Sequence, residues 1–213
     1  MTRKANPTSQ NYNAFTTAYK YLNRRLFEGQ LPFALITLQR RSNTLGYFAG
    51  ERFGTVDGQT VTDEIALNPS HFKGRSVEDI LSTLVHEMVH LWQHHYGKPS
   101  RYRYHNRQWG RKMRNVGLIP SSTGKEGGHE TGQRISHYID VKGPFTAACS
   151  DLLTTGFALP YVELWDWKAT KQRRAKEKTK FTCPSCAANA WGKASLNIIC
   201  ADCKKAMNVE KKF

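Results

Sequence analysis

Between Ser76 and Gly97, apolar residues fall at Val77, Ile80, Leu81, Leu84, Val85, Met88, Leu91 and Trp92. This is the spacing of an α-helix that buries one face. Ser76 stands at the N-cap, Asp79 follows at the capping-box distance, and Glu78 adds negative charge to the first turn. Gly97 and Pro99 are stop signals. An earlier run, Tyr12, Phe15, Tyr19, Leu22 and Leu26, predicts an amphipathic helix over residues 10–28, closed by Gly29 and Pro32. Residues 33–39, 45–53 and 61–67 read as strands, with Asp57-Gly58 as turn chemistry and Pro69 ending the last. A further helical pattern, Trp109, Met113 and Val116, ends at Gly117.

Helix, three strands, helix, helix is a compact α+β order. Beyond it, residues 121–132 are rich in Ser, Thr and Gly and predict an exposed loop. Residues 136–141 suit a strand, and residues 145–153 a short buried element holding Cys149 as a small hydrophobe. A chain of 213 residues holds one moderate domain plus a small module. No stretch is long and apolar enough to span a membrane, and no apolar run follows the charged start as in a signal peptide.

The face of the Ser76 helix opposite Met88 carries His86 and His90, one turn apart, in the pattern H-E-x-x-H with Glu87 between them. Two imidazoles at this spacing reach one Zn²⁺, and the glutamate is placed to act on a water in the open position. A third ligand is needed. Position 96, where a metzincin continuation would put a histidine, is Tyr96. His94 is rotated away from His86, and His95 lies on another face. His105, at the start of the next helical pattern, is the better candidate. Its aromatic follower Trp109 is expected to pack inward.

These residues resemble the SprT/Spartan family of zinc metalloproteases, over about residues 10–118 and the cysteine segment at the end. The matching features are His86-Glu87-x-x-His90, a histidine nineteen residues after the first, and an aromatic residue in a short basic helix. In the family the third ligand opens a His-Gly-Pro-Glu-Phe-like stretch; here it reads His105-Asn106-Arg107-Gln108-Trp109, without the Gly-Pro pair. The resemblance implies a minimal zincin-like core. It implies a protease acting on proteins attached to or sitting on DNA, with DNA as the switch. It also suggests that the strand over residues 61–67 is an edge strand that pairs with an extended substrate, although an ordinary core strand fits the residues equally.

Charge agrees with a polyanionic partner. The formal net charge is +15 and the pI about 9.8. Residues 98–114 hold Lys98, Arg101, Arg103, Arg107, Arg111, Lys112 and Arg114 with no acid, interleaved with Tyr102, Tyr104 and Trp109. Residues 168–180 hold seven Lys or Arg, among them Lys171, Arg173 and Arg174, and one acid, Glu177. The alternative is a solvated face and a solvated linker. His129, His137, Tyr102 and Tyr104 are further candidates for polarising a carbonyl.

Cys183-x-x-Cys186 and Cys200-x-x-Cys203, with thirteen residues between the pairs, fit one tetrahedral Zn²⁺ held by four thiolates. That closes all four positions and makes this zinc structural; Trp191, Leu196, Ile198 and Ile199 are expected to pack the small hairpin. Free cysteines of this kind suit a reducing compartment, hence a cytoplasmic, DNA-associated protein. The expected organisation is a tail (1–9), a protease core (10–118), an elaboration (119–167), a basic linker (168–180) and a zinc ribbon (181–213). The expected activity is that of a zinc metallopeptidase, monomeric, with one catalytic and one structural Zn²⁺, protein substrates and DNA. Its alternative is a nucleic-acid-binding zinc protein that does not cleave.

Overall fold

The computed structural model describes residues 6–101, 104–163 and 179–209. The chain divides into two compact units, one running through Glu163 and the other beginning at Leu164.

The first unit opens with α1 (Pro7–Leu26), so residues 7–9 are helical rather than tail. Asn6 caps it by accepting hydrogen bonds from the Thr8 and Ser9 amides, and Pro7 fits the first turn, where its missing N–H costs nothing. Phe15, Ala18, Tyr19 and Leu22 point into the core, whereas Tyr12 is exposed. Next come β1 (Leu35–Leu38), β2 (Gly46–Gly54) and β3 (Val61–Leu67), in sheet order β1-β3-β2. β1 runs parallel to β3, and β2 antiparallel to it. β3 is therefore central, which overturns its reading as a substrate-pairing edge strand. Its burial is unbroken from Asp63 to Leu67, as in a strand covered on both faces. The edge facing away from β1 belongs to β2.

α2 (Val77–Tyr96) crosses β2 and β3. Its capping box forms in both directions: the Asp79 amide donates to Ser76 Oγ at 3.0 Å, and the Ser76 amide to Asp79 Oδ2 at 3.3 Å. Ile80, Leu81, Leu84, Val85 and Met88 are fully covered. α3 (Arg107–Asn115) follows, then β4 (Leu118–Ser121), β5 (Ser136–Ile139) and α4 (Pro144–Thr154). β4 and β5 form an antiparallel pair, and α4 packs on α1 and α2. Phe145, Ala148, Cys149 and Leu152 join the same core as Leu84 and Trp109. No structural boundary falls at residue 118: the segment read as an elaboration completes the core. Gly117, at φ +87°, makes this possible, since a Cβ there would lie 2.8 Å from the Phe145 amide nitrogen.

In the second unit, β6 (Thr179–Thr182) pairs with β7 (Asn189–Gly192) and β8 (Asn208–Val209). Among its described residues Phe181, rather than the expected ones, is the fully buried large apolar side chain, with Cys183 and Cys200 buried as well. Trp191, Leu196 and Ile199 are exposed. A module this short cannot enclose an apolar core, so its cysteines take that place.

The shared core sets a stability test. Leu84→Ala removes a side chain that is 0% exposed and is expected to cost about 2–5 kcal/mol, read from urea unfolding of the metal-loaded chain.

Candidate metal centres

α2 presents His86 and His90 one turn apart, with ring centroids 5.2 Å from each other. His105 reaches them from the residue before the N-cap of α3. Ligand atoms of the three lie within 4.8 Å of one another, and together they can hold a metal ion. His90 Nε2 and His105 Nε2 are 3.1 Å apart. Two nitrogens each about 2.0 Å from a tetrahedral Zn²⁺ stand about 3.3 Å apart. Trp109, fully buried, walls the site: its ring lies 5.0, 5.2 and 4.3 Å from the rings of His86, His90 and His105.

Asn106, directly after His105, anchors the start of α3. Its Oδ1 accepts from the Trp109 amide at 3.0 Å and from Gln93 Nε2 at 2.8 Å. Its Nδ2 donates to the Lys98 carbonyl at 2.9 Å. One side chain thus caps α3, ties it to the buried end of α2 and closes the intervening loop.

Hydrogen bonds outside the three rings fix which nitrogen of two of them faces the metal. His105 exchanges backbone hydrogen bonds with Gly132, and its Nδ1–H donates to the Gly132 carbonyl at 3.0 Å. Its Nε2 therefore keeps the lone pair that can bind a metal. For His86 the assignment runs through His137. Ser82 donates its hydroxyl proton to the Asp79 carbonyl at 2.9 Å, so its oxygen accepts from His137 Nε2–H at 2.9 Å. His137 Nδ1 then accepts from His86 Nδ1–H at 3.0 Å, leaving His86 Nε2 for the metal. Such outer partners lock the tautomer and raise ligand basicity. Gly132 lies in the stretch that composition marked only as exposed loop, and His137 was only one of several carbonyl-polarising candidates. No local pattern marks either, because both arrive from β4–β5 and its connection.

Burial keeps these imidazoles neutral, the form that binds metal. His90 is pushed down to about 3 by burial and then by His105. His137 falls to about 4 by burial and then by Arg75. His86 lies well below its ordinary value, burial again leading and the neighbouring histidines adding to it. Glu87 is 5% exposed. A Cβ built on Gly46 would lie 3.3 Å from Glu87 Oε1 and 3.2 Å from Thr83 Cγ2, so the absent side chain lets the start of β2 close on the glutamate.

The four cysteines of the second unit also converge, with ligand atoms within 4.8 Å. Cys186 Sγ and Cys200 Sγ are 3.7 Å apart, close to the roughly 3.8 Å of two thiolates on one tetrahedral Zn²⁺. The amides of Cys186 and then Ser185 draw the Cys183 thiol down to about 6, towards the thiolate a metal needs.

The proposed phosphate contacts divide. Arg101, Arg107 and Arg111 are exposed. Lys112 is not: its Nζ lies 5.0 Å from the rings of both Phe27 and Trp92, and burial lowers its pKa. Its place on α3, next to the buried face, sets the ammonium in cation–π contact with both rings. Arg114 pairs with Glu130. Tyr102, Arg103, Lys171, Arg173 and Arg174 lie outside the described residues. His129 is exposed and Tyr104 partly so.

Two outcomes follow from this geometry. Ser82→Ala, which removes the acceptor behind His137, is expected to weaken zinc binding at the histidine site by about 10–100-fold, measured by chelator competition. In metal-stripped protein, buried histidines with lowered pKa take up protons on unfolding. Stability is then full above about pH 6.5 and falls as pH drops towards the folded values near 4 and 3, at up to about 1.4 kcal/mol per pH unit per group. Urea unfolding between pH 7.5 and 4.5 reads this slope.

Comparison with known proteins agrees with the geometry. A family model described as the SprT-like family matches residues 15–127. The chain is also 47% identical over 60 residues to an uncharacterized protein in the mucB 3′ region of Salmonella typhimurium, a stretch covering 28% of this chain and 80% of that protein. The matched residues begin within α1, take in the three-stranded sheet and all three converging histidines, and the chain belongs to the SprT-like family.

Proposed function

We propose that the chain is a zinc-dependent metallopeptidase with a zincin-like core, in which His86, His90 and His105 hold the catalytic Zn²⁺. The observation that carries this reading is the pairing of a three-imidazole site with a buried glutamate adjacent to it in sequence. Bound Zn²⁺ would supply Lewis acidity and lower the pKa of a water in the open position. Glu87 is the general base: it accepts the attacking water's proton and passes it to the leaving amine. The free edge of β2 supports a peptide substrate. Its first residue, Gly46, lies close to Glu87, where an added Cβ would stand 3.3 Å from Oε1, and an extended peptide adding to that edge through main-chain bonds would be held near the base. The ribbon zinc, on Cys183, Cys186, Cys200 and Cys203, is structural.

The proposed substrates are proteins bound or crosslinked to DNA, with DNA binding as the stimulus. The net charge supports this, as does α3. On α3, Arg107 and Arg111 share the exposed face while Trp109 and Met113 are buried on the other. The same helix begins two residues after His105, so a phosphate contact there is mechanically close to the metal.

The test is cleavage of a DNA-bound basic protein with and without single-stranded DNA. Wild type is expected to cleave when DNA is present. Glu87→Gln is expected to keep its zinc and lose about 10²–10⁴-fold in rate. Arg107→Glu combined with Arg111→Glu is expected to keep zinc and lose the DNA stimulation. Wild-type rates in Glu87→Gln would refute the proposal. Tight, salt-sensitive DNA binding without cleavage by either protein would favour the non-proteolytic nucleic-acid-binding reading.

A further inference from the structure

A third group of ligands stands on the far end of α2. Asp63, His94 and His95 place one ligand atom each within 4.8 Å of the others. His94 and His95 do not belong to the catalytic set, being in the last turn of α2, past His90. Asp63 comes from β3, opposite an irregularity in β2. There the register jumps from Ala49 opposite Glu64 to Phe53 opposite Thr62, and Glu51 takes φ +50°. The extra residues bend β2 and turn the Glu51 amide onto Asp63 Oδ1, at 2.8 Å.

The carboxylate is thereby aimed. Its other oxygen, Oδ2, meets His95 Nε2 at 2.6 Å, and Oδ1 lies 4.0 Å from His94 Nε2. The His94 ring fits against Gly50, where a Cβ would stand 2.7 Å from Cε1 and 2.9 Å from Nε2. Any side chain at position 50 would expel the ring. Phe48 supports the same ring with centroids 5.5 Å apart. Neither the bulge nor the glycine is needed to pair β2 with β3; both shape this corner.

From these contacts the geometry points to a second divalent-cation site in the first unit, held by Asp63, His94 Nε2 and His95 Nε2. Two imidazoles and one carboxylate suit a borderline d-block ion such as Zn²⁺, not Ca²⁺ or Mg²⁺, which take oxygen ligands. The carboxylate side chain is 6% exposed while the histidine side chains are 34% and 35% exposed, so the ion enters from solvent and keeps water in its remaining positions. A buried carboxylate gains a full positive charge beside it, and the carbonyl end of a helix favours that charge as well. The Glu51 amide is the outer hydrogen bond that holds the carboxylate in place. Bound metal would staple the last turn of α2 to the β2–β3 bulge, one turn from His90 on the same helix.

The experiment is metal counting on the 213-residue chain, stripped with chelator, re-equilibrated in buffered Zn²⁺ and measured by plasma mass spectrometry. Wild type is expected to carry one Zn²⁺ more per chain than Asp63→Asn, His94→Gln or His95→Gln. The difference carries the test, so it is independent of how many ions the histidine and cysteine sites hold and of whether the chain cleaves anything. His94→Gln decides the matter if Asp63→Asn disturbs the bulge, because a side chain one-third exposed can be changed without emptying the core. Equal zinc content in wild type and His94→Gln, both folded by circular dichroism, would overturn the site and leave Asp63–His95 an ion pair alone.

Discussion

The histidine site depends on where each imidazole keeps its proton. A metal takes a lone pair, so a ligand ring must hold its proton on the other nitrogen, and something outside the site must accept it. Here the acceptors are the Gly132 carbonyl for His105 and the His137–Ser82–Asp79 chain for His86. Removing either acceptor would leave a ring free to turn and its two tautomers nearly equal in energy. Burial adds to this by keeping the rings neutral, and Trp109 keeps them from spreading.

That constraint explains the shape of the first unit. The elements that carry ligands, α2 and the start of α3, are not sufficient. The β4–β5 pair and the segment between its strands supply Gly132 and His137, and α4 adds Phe145 and Cys149 to the core. The core therefore continues past α3 to Leu152 of α4. On the opposite side, β2 closes on α2 twice through residues without side chains. Gly46 meets Glu87, and Gly50 meets His94. One strand thus lies against both the proposed base and the further candidate site.

The second unit rests on a different principle. Among its described residues the one well-buried large apolar side chain is Phe181, and the exposed Trp191 and Ile199 contribute little to a core. Four sulfurs within 4.8 Å of one another replace apolar burial as the organising contact.

Much of this was readable from one dimension. Helical period and capping chemistry located α2 and its N-terminus, and the spacing of His86, Glu87 and His90 follows from a rise of about 1.5 Å per residue on one face. The two C-x-x-C pairs carry their geometry within a few residues. Local patterns of this kind survive in sequence because the contacts they encode are local. What only the tertiary structure decided is everything that depends on elements meeting. β3 became the central strand because a parallel partner, β1, lies on its other side, and alternation cannot report neighbours. Lys112 sits on two aromatic rings because α3 lies against Phe27 and Trp92. Gly132, Ser82 and His137 orient ligands they are far from in sequence, and Asp63 meets His94 and His95 across a bulge. In each case the physical reason is the same: a hydrogen bond or a packed ring acts over about 3–6 Å of space, whatever length of chain separates its partners.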